Sequence, residues 1–348
     1  MEHLHHFQLS GDPFRNEPVL RLFFENGPQQ DALRRLERAV RQGRGLSVLV
    51  GDTGSGKTMV VRRLLENLEE EVFEASMMVV LDGAADAGWI LQRFAKQLGV
   101  DEPKLEREGL ISQIYDCLAI IREDGRQAVL IIDDAQALAN RCALAEVCGL
   151  LKLEYEDRRL LSLVLAGPPL MDRAFSSDPT LSHRIDVRVH LDSFSPDVAA
   201  DYLGHRIGLV GGAPELLDSG ALAALHELGG GYPGRMNTLA DNALFEAFLC
   251  GRSQMNRVDV ERAHRDLGWA AAIPEPTDTS SAASPTPASA ASAGTAGELQ
   301  ETLDQLDSEL STIFEDAPAA TDPSAPNLGP PKLEDAEPDD LLVELIED

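Results

Sequence analysis

Residues 51–58 read Gly51-Asp52-Thr53-Gly54-Ser55-Gly56-Lys57-Thr58, behind the apolar run 46–50 and ahead of the helix-forming stretch 59–68. Glycines at this spacing let successive backbone N–H groups turn inward around phosphate oxygens. The Lys57 ammonium reaches the β- and γ-phosphates, and the Thr58 hydroxyl is placed to ligate Mg²⁺. The helix that follows brings orphan N–H donors and the positive end of its dipole to the same anion. A bare match to this pattern arises by chance in long chains, but strand, loop and helix in the right order are far more specific. The stretch reads as a nucleoside triphosphate site. Gly51, Asp52, Thr53, Gly54, Ser55, Gly56, Lys57, Thr58 and Met59 are its binding candidates, and Lys57 is also a catalytic one.

Outward from the loop, strand-like apolar runs alternate with helical patterns through the first 190 residues. That is the rhythm of a parallel sheet with helices on its faces. Strands are expected at 46–50, 76–81, 128–132, 161–166 and 187–191. Helical spacing marks 89–98 and 108–122, the second through Leu110, Ile111, Ile114, Leu118 and Ile121. After Pro196 only helices are expected, at 197–210, 219–228, 235–250 and 258–267. Ser195-Pro196-Asp197 reads as an N-cap with proline at the first helical position. A nucleotide-binding sheet followed by a helical lid is the AAA+ layout, an α/β P-loop NTPase fold with a small helical lid domain.

The third strand, Val129-Leu130-Ile131-Ile132, ends in Asp133-Asp134, two β-α units beyond the loop. This is where a Walker B strand belongs. Asp133 would hold Mg²⁺ with Thr58, usually through water, because that ion prefers hard oxygens and keeps part of its hydration shell. Asp134 would orient or deprotonate the attacking water. Taken alone, such a strand end is more often a pair of solvated acids; joined to the loop it becomes the second half of one site. Most AAA+ proteins carry glutamate at the second position. Aspartate is one methylene shorter and catalytic geometry is sensitive to displacements of about 1 Å, so slow hydrolysis with intact binding is expected.

The 348 residues carry a net charge of −29 and divide unequally. Residues 1–42 read as an N-terminal segment and first helix leading into the core, 43–194 as the α/β subdomain and 195–270 as the lid. Residues 271–297 are almost wholly Pro, Ala, Ser, Thr and Gly, the composition of a disordered linker, and 298–348 form an acidic tail. From Ile273 onward there are 18 acidic residues and one lysine, so −17 of the total lies there and −12 in the core. Neither part suits a phosphate-backbone binder, which argues against nucleic acid as a partner. No stretch approaches the run of about 20 apolar residues that a membrane helix needs, and residues 1–6 lack a basic-then-apolar leader. The expectation is a cytoplasmic protein, recruited to the inner face of the membrane through a partner. Cys117, Cys142, Cys148 and Cys250 lack metal-type spacing and read as reduced thiols in or near helices.

With both nucleotide motifs placed, the core from about Phe7 to Leu267 resembles the ATPase domain of the general secretion pathway protein A (ExeA/GspA) family of AAA+ ATPases. Phe7-Gln8-Leu9-Ser10-Gly11-Asp12-Pro13-Phe14 looks like the family's opening segment. Ile131-Ile132-Asp133-Asp134-Ala135-Gln136 resembles its Asp-Glu-Ala-Gln signature, and Leu165-Ala166-Gly167-Pro168-Pro169-Leu170 its Leu-Ala-Gly-Gln-Pro-Glu motif. His183-Arg184-Ile185 resembles Gln-Arg-Ile, and His205-Arg206-Ile207 resembles His-Arg-Leu. Residues 229–237, Gly-Gly-Gly-Tyr-Pro-Gly-Arg-Met-Asn, resemble Gly-Gly-x-Pro-Arg-x-Ile-Asn with one inserted glycine.

The resemblance implies Mg²⁺-dependent ATP hydrolysis in a homo-oligomeric ring or filament. It implies two arginine roles: Arg184 as a finger inserted into a neighbour's site, with Arg188 and Arg173 as alternatives, and Arg235 as the lid's sensor of the γ-phosphate. Pro168 stands where the family has a glutamine that serves as a polar sensor, and Gly234 alters the approach to Arg235. Family members continue into a membrane helix and a periplasmic peptidoglycan-binding domain; neither pattern is present here, so direct cell-wall binding is not expected.

In the tail, Leu299, Leu303, Leu306, Leu310 and Ile313 recur at coiled-coil spacing, and 339–348 is an apolar island between acids. Both 299–314 and 339–348 read as docking peptides for a protein partner; the bland alternative is a solvating tail. The leading functional expectation is an oligomeric ATPase controlling assembly or operation of an envelope-associated machine: a secretion, type IV pilus or surface-polymer system. Two competitors stand beside it. One is a DNA-associated AAA+ regulator of the transposition target-selector type, for which Arg34-Arg35 and Arg62-Arg63 would contact phosphate. The other is a nucleotide-gated binding switch with negligible turnover.

Overall fold

The computed structural model describes residues 2–80, 87–138 and 141–269, apart from the side chains of Ala137, Arg141 and Cys142. The end of the second expected strand at Leu81, the 271–297 linker and the acidic tail with both docking peptides lie outside the described residues.

The apolar run ahead of the glycine-rich loop forms β1 (Leu46–Gly51), all six residues of which are buried. A strand covered on both faces has no polar side to alternate, which is why its sequence is continuously apolar. In chain order the elements before the lid are α1 (Glu2–His6), α2 (Gly27–Arg41), β1, α3 (Lys57–Glu66), β2 (Phe73–Val79), α4 (Ala87–Gln97), α5 (Arg107–Glu123) and β3 (Gln127–Asp133). There follow α6 (Arg141–Val147), a small hairpin of β4 (Glu154–Tyr155) and β5 (Arg158–Arg159), β6 (Leu161–Gly167), α7 (Pro169–Ser176), α8 (Pro179–Ser182) and β7 (Ile185–Leu191). The main sheet has the order β2-β3-β6-β1-β7 and every pair in it is parallel.

This order positions the site. Because β6 is inserted between β1 and β3, the loop leaving β1 and the acids ending β3 stand one strand apart at the carboxyl edge. A gap of that kind is where open α/β sheets place their ligands. Residues alternate between two cores along each central strand. Val48, Leu130, Ile132, Leu163 and Leu165 pack with Ile90, Phe94, Ile114, Leu118 and Phe175, while Leu49, Val129, Ile131 and Val164 pack with Leu33, Leu36, Val60 and Leu64 on the other face.

The lid comprises α9 (Pro196–Gly208), α10 (Ser219–Gly229), α11 (Pro233–Leu249) and α12 (Arg257–Asp266). Ser195 caps α9 by accepting from the Val198 N–H at 3.4 Å, with Pro196 at the first helical position. Asn256 and Asp259 form a reciprocal capping box at the start of α12.

Two sequence expectations change. The second strand begins at Phe73 rather than residue 76, because Phe73, Glu74 and Ala75 pair with Gln127, Ala128 and Val129; the acidic run before Phe73 masks its apolar alternation. Residues 1–42 also do not simply lead into the α/β core. Leu4, Phe7, Leu9 and Phe14 are buried with Tyr202, Leu203, Leu239 and Val260 in the lid's own core, and the chain joins the sheet side from Phe23 into α2. Four apolar residues without helical or strand periodicity carry no signal of which unit they will fill.

Candidate nucleotide-binding site

The loop from Gly51 to Gly56 takes its shape from its glycines. Gly54 and Gly56 lie at φ of +83° and +96°, a left-handed region that side chains rarely adopt. A Cβ at Gly51 would come within 2.5 Å of the Ser55 hydroxyl oxygen. The loop closes through a Ser55 N–H bond to the Asp52 carbonyl at 3.1 Å, and Lys57 begins α3. Lys57 Nζ donates to the Gly51 and Asp52 carbonyls at 2.9 and 3.0 Å. Burial lowers the Lys57 pKa, and the fields of Asp133, Asp134 and Asp52 act against that shift.

Asp133, at the end of β3, is 1% exposed. Burial raises its pKa, and a hydrogen bond from the Thr58 hydroxyl pulls it down. One carboxylate oxygen, Oδ1, is buried without any hydrogen-bond partner. Buried carboxylate oxygens are ordinarily satisfied. An orphaned anionic oxygen beside a threonine hydroxyl is the hard-oxygen donor set that Mg²⁺ takes, so the two residues fit that ion. Asp134 follows at φ +53°, a left-handed conformation that aspartate tolerates better than most residues.

These groups face a cleft of about 580 Å³ between the sheet edge, the N-terminal segment and the lid. Of the sequence candidates, Thr53, Gly54, Gly56, Lys57, Thr58, Met59, Asp134 and Arg235 line it; Gly51, Asp52, Ser55 and Asp133 support it from behind or beside. Arg235, in the first turn of α11, lies 5.2 Å from the Trp269 ring centre in a cation–π contact. Pro168 and Gln136 also line the cleft. Proline offers no side-chain donor there.

Arg184 is elsewhere. It precedes β7, whose first residue pairs with Leu46 at the start of β1, the end of the sheet away from the loop. Its Nη1 donates to the Cys148 carbonyl at 3.1 Å, and it borders a groove of about 320 Å³ with Lys152, Arg159 and Asp186. Arg188, one of its alternatives, is 3.0 Å from Asp172. The Cys148 thiol is buried and its pKa is pushed up to about 12 by burial; Cys117, Cys148 and Cys250 are free thiols. Among the described residues no group of three His, Cys, Asp or Glu side chains is placed to hold a metal. None of the described helices is long and apolar enough to cross a membrane.

Several site residues carry no motif. Gln29 on α2 is 5% exposed and donates to the Ser55 carbonyl at 2.9 Å, steadying the loop from outside it. The cleft's far wall is the N-terminal segment 15–24, tied to the lid by Arg206. The Arg206 guanidinium is buried and donates through Nε to the Pro13 carbonyl at 2.6 Å and through Nη2 to the Arg15 carbonyl at 2.5 Å. Beside it Tyr202 donates to Asn237 Oδ1 at 3.0 Å, Asn237 donates to Asn16 Oδ1 at 3.1 Å, and Asn16 donates to Thr238 Oγ1 at 2.8 Å. Phe24, Phe194 and Tyr202 form an aromatic group with ring centres 5.4 to 6.3 Å apart, in which Phe194 and Tyr202 are buried in the lid core and border the cleft. Arg206 and Asn237 had a sequence signal, through their places in the family-like His205-Arg206-Ile207 and in residues 229–237.

Residues 40–175 match the model of the AAA domain family. The chain is 28% identical over 260 residues to general secretion pathway protein A of Aeromonas hydrophila, covering 74% of this chain and 47% of that protein. It is 29% identical over 215 residues to an ORC1-type DNA replication protein of Cenarchaeum symbiosum, covering 56% of this chain and 50% of that one. The chain thus spans about half the length of the curated relatives it matches. Among solved structures, the ORC1 protein of Aeropyrum pernix in complex with DNA aligns with a TM-score of 0.57 at 19% identity, over 73% of this chain and 68% of that one. That likeness speaks for the fold. The expected P-loop AAA+ architecture and the resemblance to ExeA/GspA are both upheld.

Proposed function

We propose that this chain, whose residues 40–175 match an AAA domain, is a Mg²⁺-dependent ATPase whose nucleotide state governs its self-association. The observation that carries the reading is the convergence on one cleft of the glycine loop, the Thr58–Asp133 pair with its orphaned oxygen, and the lid arginine Arg235. Thr58 and Asp133 would hold Mg²⁺, which supplies charge neutralisation on the phosphates. The Gly54–Thr58 backbone cradles the phosphates, and Lys57 turns from the loop carbonyls toward them. Asp134 orients the attacking water and accepts its proton. Arg235 couples the γ-phosphate to the lid.

Arg15, Arg206 and Arg235 line the cleft, and Arg184 sits at the far end of the sheet. Its role in this reading is in a neighbouring subunit's site, so activity belongs to the oligomer, ring or filament. The machine served is an envelope-associated one, reached through a protein partner that the segments 299–314 and 339–348 engage from the cytoplasmic side. This last step rests on the similarity to general secretion pathway protein A. Hydrolysis measured across protein concentrations tests the reading. Specific activity is expected to rise with concentration, and Arg184→Ala to lower it at least 10³-fold without loss of ATP binding. Concentration-independent activity together with an unaffected Arg184→Ala variant removes the finger.

A second reading is favoured by Asp134 and Pro168: a slow nucleotide-gated switch, in which ATP binding alone drives association. The DNA-associated alternative has the ORC1-type relative on its side and the acidic charge against it. Salt-dependent DNA binding at physiological ionic strength would establish it.

A further inference from the structure

The turn between α10 and α11 leans on the phosphate loop itself. Gly230 and Gly231, at φ of +65° and +71°, reverse the chain after α10. The Phe194 N–H bond to the Gly231 carbonyl, at 2.9 Å, pins the turn to the segment leaving the sheet. Two contacts follow. Tyr232 donates its phenolic hydrogen to Asp52 Oδ2 at 2.5 Å. The Gly234 N–H donates to the Gly54 carbonyl at 2.8 Å. The two backbones meet so closely that a Cβ on Gly234 would lie 2.9 Å from Gly54 Cα and 3.2 Å from its carbonyl oxygen.

We propose that Tyr232 and Gly234 form a clasp on the loop residues Asp52 and Gly54 that must open for nucleotide to enter or leave, making Tyr232 the residue that sets the exchange rate. The argument is geometric. Arg235, next in sequence, lines the cleft beside Gly54, so the lip gripped by the clasp is the lip that phosphates pass. The contact is between residues 180 apart in sequence, and it joins the lid directly to the loop rather than through a ligand. A charge-assisted hydrogen bond of this kind is among the stronger polar contacts. Burial and the Asp52 bond push the Tyr232 pKa up to about 12, so the phenol remains a donor at every physiological pH. The clasp acts on the barrier between free and bound chain and not on the bound contacts, so it slows entry and exit alike.

The proposal rests on the nucleotide reading of the cleft, and its test separates the two. Association and dissociation of a fluorescent ADP analogue are followed by stopped flow on the full chain with Mg²⁺. Tyr232→Phe, which removes one hydroxyl, is expected to raise both rate constants about tenfold while Kd stays within about twofold. Gly234→Ala, which wedges lid from loop by a different route, is expected to raise both rate constants as well, without a constant Kd, because its Cβ also presses on the Gly54 backbone. Failure of both variants to change either rate overturns the clasp. A rise in dissociation alone, with Kd weakened in proportion, also overturns it, because Tyr232 is then a ligand contact. If the wild-type chain binds no analogue, the nucleotide reading falls and the clasp with it.

Discussion

Replacing Arg206 with methionine tests whether the N-terminal segment is structurally part of the cleft. The side chain is 2% exposed and has no carboxylate partner among the described residues; its guanidinium is held by the Pro13 and Arg15 carbonyls and, at 3.5 Å, by the Tyr202 hydroxyl. Burying an unpaired guanidinium costs several kcal/mol, and two short hydrogen bonds from a charged donor return about 1.5–3 kcal/mol each, so the intact arrangement is close to balanced. Truncation is not balanced, because the two carbonyls stay in place without their donor, at about 1–3 kcal/mol each. Methionine fills most of the volume and removes the desolvation cost, leaving an expected loss of about 2–4 kcal/mol. For a domain of this size that lowers Tm by roughly 5–15 °C. Thermal melting followed by circular dichroism reads the loss, and ATP affinity measured in parallel is expected to weaken at least tenfold, since residues 15–18 and 22–24 line the cleft. Arg206→Lys, which keeps the charge but reaches only one carbonyl, should fall between. A Tm within 2 °C of wild type for Arg206→Met would refute the reasoning, since the carbonyls would then have found other donors at no cost.

Two further expectations concern the acids. Asp133→Asn removes a buried, half-partnered carboxylate and should stabilise the metal-free protein by about 1–2 kcal/mol, while abolishing the Mg²⁺-dependent rise in Tm expected of the wild type with ATP; a variant that keeps that rise would show the metal is held elsewhere. Asp134→Glu extends the carboxylate by one methylene toward the reacting water and is expected to raise turnover about tenfold or more with ATP affinity unchanged. Equal or lower turnover would mean that the left-handed backbone at Asp134, and not chain length, sets the rate.

The loop was legible because every feature it needs is local: glycines where φ is positive, a lysine and a threonine at fixed offsets, and a fully apolar strand before them. The position of Asp133 and Asp134 was legible for the same reason, as the end of a buried strand. The start of the lid followed from a cap that the structure reproduces at Ser195. What stayed illegible depends on contacts across long sequence separations. Gln29 acts on Ser55 through a backbone carbonyl, which has no sequence signature, and Arg206 likewise binds carbonyls 191 and 193 residues away. The division of the first 42 residues between lid and sheet was hidden because Leu4, Phe7, Leu9 and Phe14 are irregularly spaced and become a core only when α9, α11 and α12 surround them.

Charge around the cleft bears on the oligomeric reading. Its basic lining residues are Arg15, Lys57, Arg206 and Arg235. Three are engaged within the chain: Lys57 with the Gly51 and Asp52 carbonyls, Arg206 with those of Pro13 and Arg15, and Arg235 with the Trp269 ring. Arg206 cannot turn toward phosphate without giving up the N-terminal wall, so Lys57 and Arg235 are the cations best placed to serve a triphosphate, against the nearby carboxylates of Asp133 and Asp134. Arg15, the fourth, has its Nε buried without a hydrogen-bond partner and is the remaining cation of the cleft wall for charge that develops on the transferred phosphoryl group. On the proposed reading a second subunit adds to that charge through Arg184. The groove that presents Arg184 sets Lys152 and Arg159 beside Glu154 and Asp186, with Arg159 paired to Asp186 at 3.0 Å, so the charge a neighbour would receive from this surface is that of Arg184 itself.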